Sequence, residues 1–168
     1  MRNFSNVKIA LLVFSVFFST ASVSATNQST NSQPLMDRNQ FAIGAGISLN
    51  SVDNSRVDDE TGFQFFAAYD LTMVNLMEGV STSVELGYMD YGFDGRDSDG
   101  IWSTVVVGGK ISGNFGWLGR LGLDFGDDSG LMFGAGVDYT IHQNLDIRGE
   151  YVIRDDIDSL QVNLLFRL

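Results

Sequence analysis

The chain of 168 residues contains no cysteine, one proline and one histidine. Without cysteine there is no disulfide framework, no thiol chemistry and no lipid-anchor cysteine. Basic side chains are scarce as well: 10 Lys and Arg stand against 21 Asp and Glu, a formal net charge of −11. The basic footprint of a nucleic-acid binder is missing, so no nucleic acid is expected as a partner. No apolar run reaches the roughly 20 residues that a membrane-spanning helix needs. The apolar run Ile9–Phe18 follows Arg2 and Lys8 and leads into small residues ending Val23-Ser24-Ala25. A positive start, a short apolar stretch and a small-residue cleavage site predict a secretory signal peptide over 1–25. Its removal takes away two bases and no acid. The polar stretch 26–39, which holds Pro34, reads as a flexible leader. Residues 40–168 then form a single domain.

Glycine is plentiful, at 19 residues, and a two-residue alternation runs through the rest of the chain. Eight runs carry it: Gln40–Asn50, Thr61–Leu71, Val80–Asp90, Ile101–Ile111, Phe115–Phe125, Leu131–Thr140, Leu145–Ile153 and Ser159–Leu168. In the first, Phe41, Ile43, Ala45, Ile47 and Leu49 face one way, while Ala42, Gly44, Gly46 and Ser48 face the other. A period of two over about ten residues predicts strands. The connection Thr72–Gly79 is unusually apolar and reads either as a loop or as a continuation of the strand before it.

Alternation alone fits a soluble barrel with an apolar interior as well as a membrane barrel with an apolar exterior. The second face decides between them. A soluble exterior would be rich in long charged side chains; here that face is mostly Gly, Ala, Ser and Thr. Small residues suit the narrow inside of eight strands. The apolar face carries no Asp, Glu, Lys or Arg in any run, and one such charge at the bilayer midplane costs about 2–4 kcal/mol. Its aromatic residues (Phe41, Tyr69, Tyr88, Trp117, Phe125, Tyr139, Tyr151, Phe166) cluster toward strand ends, as in interfacial girdles. The predicted fold is all-β: an eight-stranded, antiparallel, up-and-down transmembrane β-barrel.

With the termini in the periplasm, Glu85, Arg120, Arg148 and Glu150 point inward near mid-height. Asp70, Lys110, Asp138, Asp146 and Arg167 point inward nearer the periplasmic end. Buried charges persist only when paired, so an internal salt-bridge network filling the lumen is expected. It serves either as structural filling or as a polar gate in a narrow pore. The same strand directions place the acids Asp53, Asp58, Asp59, Glu60, Asp90, Asp94, Asp97, Asp99, Asp127, Asp128, Asp155, Asp156 and Asp158 at the outer rim. Arg56, Arg96 and Arg154 are expected to offset them there. Such a rim suits divalent cations bridging to lipopolysaccharide, or a basic partner; it also suits plain solubilisation.

Signals for catalysis and cofactors are weak. His142 lies in the turn after the sixth run, on the periplasmic side, with no Ser within three residues. Asp94–Gly100 fails the calcium-loop pattern, because Gly95 falls at the first ligand position. The glycines follow strand alternation and do not lead into a helix, so no phosphate-binding loop is present. No cofactor, metal site or enzyme activity is expected.

The segments VELGYMDYG (Val84–Gly92), GAGVDYTIHQNLDIRGEY (Gly134–Tyr151) and LQVNLLFRL at the end carry a resemblance. They resemble the small eight-stranded outer-membrane barrels: the OmpA-like membrane domain, OmpX-like and opacity-type proteins. The resemblance implies a monomer in the outer membrane, surrounded by lipid and lipopolysaccharide and inserted by the barrel-assembly machinery. It also implies that Glu85, Lys110, Arg120, Arg148 and Glu150 match that group's interior charges in kind. The chain differs from the group in ending on Leu168 rather than an aromatic residue, and in having no stretch beyond the last strand for a peptidoglycan-binding domain. The expected role is non-enzymatic, in envelope integrity or surface interaction through short acidic loops. A narrow, porin-like channel is the alternative, and a lipid A-modifying enzyme a more distant one.

Overall fold

The computed structural model describes residues 36–52, 59–74, 76–93 and 98–168. The expected signal peptide, most of the leader, and Asp53, Arg56, Asp58, Asp94, Arg96 and Asp97 lie outside these residues. A short 3₁₀ turn, Arg38–Gln40, opens the described chain, with the Asp37 carboxylate accepting from the Asn39 amide at 3.0 Å. Eight strands follow: β1 Phe41–Val52, β2 Glu60–Asp70, β3 Val80–Asp90, β4 Asp99–Ser112, β5 Phe115–Asp124, β6 Gly130–His142, β7 Leu145–Ile153 and β8 Ile157–Arg167.

Each strand pairs antiparallel with the next in chain order, and β8 returns to β1 from Ala42↔Arg167 to Val52↔Ile157. The sheet is a closed barrel. Followed from Phe41 through Tyr69, Val84, Val105, Leu121, Phe133 and Ile153, then across to Asp158 and Ser51, the register climbs ten residues along β1 before it closes. For eight strands that stagger implies a tilt of roughly 40–45° and a backbone radius of about 8 Å. The inside is therefore only as wide as the side chains that fill it.

The facing expected from the alternation holds in all eight strands. Ile47, Leu121, Val137, Leu160 and Leu164 on the outer wall each expose half or more of their surface. Gln64, Glu85, Thr104, Arg120, Glu150, Gln161 and Asn163 on the inner wall are buried. Aromatic pairs mark both ends of the outer wall. Phe41–Tyr69 and Phe115–Tyr139, each with ring centroids 4.8 Å apart, lie at the end bearing the short turns; Phe65–Tyr88, at 5.2 Å, lies toward the other.

The strand limits differ mostly at the loop end, where β1, β4 and β8 run further than the alternation suggested. The described residues between 71 and 79 do not continue β2. They form a connection in which the Val74 amide bonds to the Leu71 carbonyl and the Val80 amide to the Met77 carbonyl. Gly79, at φ 79, supplies the left-handed backbone that returns the chain into β3.

The lumen holds an apolar cluster that includes Phe66, Met89, Trp102, Met132, Val152 and Leu165. Glycines are the sockets for its largest members. A Cβ added to Gly44 would stand 2.3 Å from the Phe66 ring, and one on Gly87 2.4 Å from Trp102. Gly87→Leu is thus expected to displace Trp102 and lower stability. Leu121→Arg, mid-wall and facing outward, should cost about 2–4 kcal/mol, and Leu131→Arg at the strand end about 0–1 kcal/mol. Urea titration of refolding into vesicles measures both; equal costs would show that the outer wall does not meet hydrocarbon.

Candidate functional site

The strands set out the lumen's polar groups in three tiers. The middle tier is a closed ring of four alternating charges. Arg120 on β5 pairs with Glu85 on β3 at 3.0 Å and, through Nε, with Glu150 on β7 at 2.7 Å. Arg148, two residues before Glu150, pairs with Glu85 at 2.7 Å and approaches Glu150 at 3.6 Å. The side chains of Arg120, Glu85 and Glu150 have no exposed surface, and Arg148 shows 10%. Two cations and two anions leave the ring neutral, which is what makes burial tolerable.

Space for the ring comes from glycines on the intervening strand. On β6, Gly134 faces Arg120 and Gly136 faces Glu150 in the ladder, and a Cβ on Gly136 would lie 2.8 Å from Glu150 Cγ. An amide chain continues the tier: Gln64 donates to Gln161 at 2.7 Å and to Asn163 at 2.8 Å, while Asn163 donates to Glu150 at 3.3 Å. The indole of Trp102 lies over the Arg120 guanidinium, 5.3 Å from its centre.

The tier nearest the acidic loops centres on a residue that alternation misplaced. Arg154, expected to offset the outer rim, is buried inside. Its Nε donates to Asp124 at 3.2 Å, its Nη1 to Ser159 at 2.7 Å, and it stacks over the Tyr91 ring at 5.3 Å. Ser159 in turn donates to Asn50, and Asn50 to the Tyr91 carbonyl. The Tyr91 hydroxyl donates to Asp124, the same carboxylate that Arg154 holds. Arg154 follows β7 directly, so its inward facing continues the phase of Arg148, Glu150 and Val152. That phase was the available signal.

Asp128 also departs from its expected place as a solvated rim charge. It is buried, and its two oxygens accept the amides of Asp156 at 2.9 Å and Ile157 at 3.0 Å, clasping the β5–β6 loop to the β7–β8 loop. Burial pushes its carboxyl above the ordinary range, against the opposing pull of those two amides and Arg154. Asp99 and Asp158 accept the hydroxyls of Tyr88 and Tyr151, each at 2.8 Å. Among the described rim acids, Asp59, Asp127, Asp155 and Asp156 are exposed, with Glu60 partly so. Nowhere among the described residues are three or more such side chains grouped as a metal site would require.

At the turn end Arg167 bridges Asp70 at 3.1 Å and Asp146 at 3.0 Å, and Thr140 donates to Asp146 at 2.8 Å. Lys110 and Asp138, expected within the internal network, form no ion pair among the described residues. Gly116 stands between them in the ladder, and Arg148, directly across from Asp138, turns to Glu85 instead. Both line a cavity of about 680 Å³ that reaches the 71–79 connection and the turns around Gly113 and Gln143. The lumen is filled from the ring to the loops and hollow below it. His142 is exposed at the end of β6.

Removing one member of the ring should expose its cost. Arg120→Met is expected to destabilise the folded barrel by about 3–5 kcal/mol, because two buried carboxylates lose a partner. Arg120→Met combined with Glu150→Gln restores neutrality and should recover much of that loss. A urea-unfolding cycle over the single and double variants reads the coupling; strict additivity would show that the ring does not act as a unit.

No family model matches the sequence, and no curated protein matches it. Solved structures do. A de novo designed transmembrane β-barrel aligns over 80% of this chain and 100% of its own, at 14% identity and a TM-score of 0.55. The outer membrane enzyme PagL aligns over 76% of this chain and 99% of its own, at 12% identity and 0.50. Ail, the attachment invasion locus protein of Yersinia pestis, solved with the heparin analogue sucrose octasulfate, aligns over 76% and 96%, at 20% identity and 0.49. At such identities the likeness is one of fold alone. It agrees with the outer wall and the closed register: the chain folds as an eight-stranded transmembrane β-barrel.

Proposed function

We propose that the protein is a non-enzymatic, non-conducting barrel of the outer membrane whose acidic loop end is its contact surface. The observation that carries this reading is the middle tier. Arg120, Glu85 and Glu150 have no solvent-exposed side-chain surface, so they line no water path. A sealed lumen leaves the two rims as the places where the protein can act.

The exposed acids Asp59, Asp127, Asp155 and Asp156 give the loop end a negative field. Arg154 and Asp128 are both drawn inside, so one base and one acid leave that rim together. A basic protein or peptide is the partner that such a field favours and steers. Divalent cations shared with lipopolysaccharide phosphates are the second candidate at the same surface. Catalysis has little support: His142 is exposed at the end away from the acidic loops, and no acid or hydroxyl is bonded to it among the described residues.

Reconstituted in planar bilayers, the barrel should give no conductance above background, and Glu85→Gln should not open one; steady channels in the unmodified protein would overturn the sealed-lumen reading. A Lys-rich peptide should bind the intact barrel at low salt and progressively less as salt rises. Asp59→Asn, Asp155→Asn and Asp156→Asn together should weaken it severalfold. Binding indifferent to both salt and these changes would remove the acidic surface from the account. The lipid A mass spectrum of expressing cells should be unchanged.

A further inference from the structure

The connection between β2 and β3 is out of keeping with the other turns at its end of the barrel. The β4–β5 and β6–β7 connections are tight and polar, built on Gly113-Asn114 and Gln143-Asn144. Residues 71–79 are longer, and Glu78 is the one ionisable side chain among them. Their apolar side chains are displayed, not packed: Met73 is 96% exposed, Met77 66%, Leu76 59% and Val74 40%.

The display has a backbone cause. Two reverse turns, closed by the Val74 amide on Leu71 and the Val80 amide on Met77, shape residues 71–74 and 77–80. Gln40 Nε2 donates to Thr72 at 2.6 Å and ties it to the segment before β1. Four apolar side chains presented to water gain nothing there, since burying apolar surface is favourable at about 25 cal/mol per Å². A surface of that kind marks an interaction site.

What it meets follows from position. The flanking strands present the Phe41–Tyr69 aromatic pair on the outer wall, and Val80 and Val84 continue that wall into β3. The apolar lip is thus continuous with the lipid-facing belt and lies just beyond its aromatic edge. Headgroups extend roughly 5–7 Å past the hydrocarbon on each side, and that is the depth of one short turn. Unbranched methionine adapts to an irregular, mobile surface better than the branched aliphatics do.

We propose that residues 71–74 and 76–79 form an interfacial anchor, with Met73, Leu76 and Met77 inserted at the headgroup–acyl boundary of the phospholipid leaflet at the turn end. By binding lipid on one side of the barrel only, the lip sets its depth and tilt. The mode of attachment is that of an interfacial amphipathic segment, here built from turns instead of a helix. The inference rests on the membrane-barrel reading.

The absence of native cysteine allows a direct test. Met73→Cys, Met77→Cys, Gln143→Cys and Leu121→Cys are each labelled with an environment-sensitive fluorophore and folded into phosphatidylcholine vesicles. A heat-dependent shift in gel mobility checks that each one is folded. Labels at 73 and 77 should show blue-shifted emission, quenching by shallow brominated lipids, and severalfold less iodide quenching than the label at 143. Equal iodide access at 73, 77 and 143, with the label at 121 quenched by lipid, would overturn the anchor and leave the lip as a protein-docking surface. If the label at 121 is itself not reached by brominated lipid, the barrel's place in the membrane fails, and the anchor with it.

Discussion

A peptide group in hydrocarbon has no water to bond to, so a sheet placed there cannot keep an open edge. Every other property of this fold follows from that requirement. The last strand must return to the first, as the run from Ala42↔Arg167 to Val52↔Ile157 does, and the Leu168 amide adds one more bond to Phe41. Closure over eight strands with a ten-residue stagger leaves a bore of side-chain width. The outer wall is then given over to lipid, and whatever polar chemistry the chain contains must fit within that bore or sit at its ends.

The bore is where the energetics are sharpest. Four charges stripped of water are costly singly, and only a neutral ring with short contacts makes them acceptable. The sequence meets this by setting charge on β3, β5 and β7 and glycine on β6 between them. The result is a rigid cross-brace between alternate strands. Above it, Phe66, Met89, Trp102 and Met132 fill the space that the glycines open, and Arg154, Asp124, Tyr91, Ser159 and Asn50 close the loop end. Below it the barrel is hollow.

The two ends meet different surroundings and are built differently. At the loop end, acids either solvate the rim or tie it: Asp128 clasps two loops, while Asp99 and Asp158 hold the interfacial tyrosines Tyr88 and Tyr151. At the turn end Arg167 bridges Asp70 and Asp146, Lys110 and Asp138 line the cavity, and the exposed apolar side chains of Met73, Val74, Leu76 and Met77 stand on the β2–β3 connection. A negative rim on one side and a greasy one on the other give the barrel a direction.

The number of strands, their facing and the charge-free outer wall were all legible in the chain. They depend on a period of two, which each strand carries by itself. The inward phase of Glu85, Arg120, Arg148 and Glu150 near mid-height also pointed to an internal charge network. The choice of partners was not legible. Lys110 and Asp138 have the same inward phase as Arg120 and Glu150, yet they form no ion pair among the described residues, and Arg154 left the rim for the lumen. Alternation states which side of the wall a residue is on. Its height and its neighbours across the bore depend on how eight successive registers add up around a tilted, closed sheet, and that sum exists only in the folded barrel.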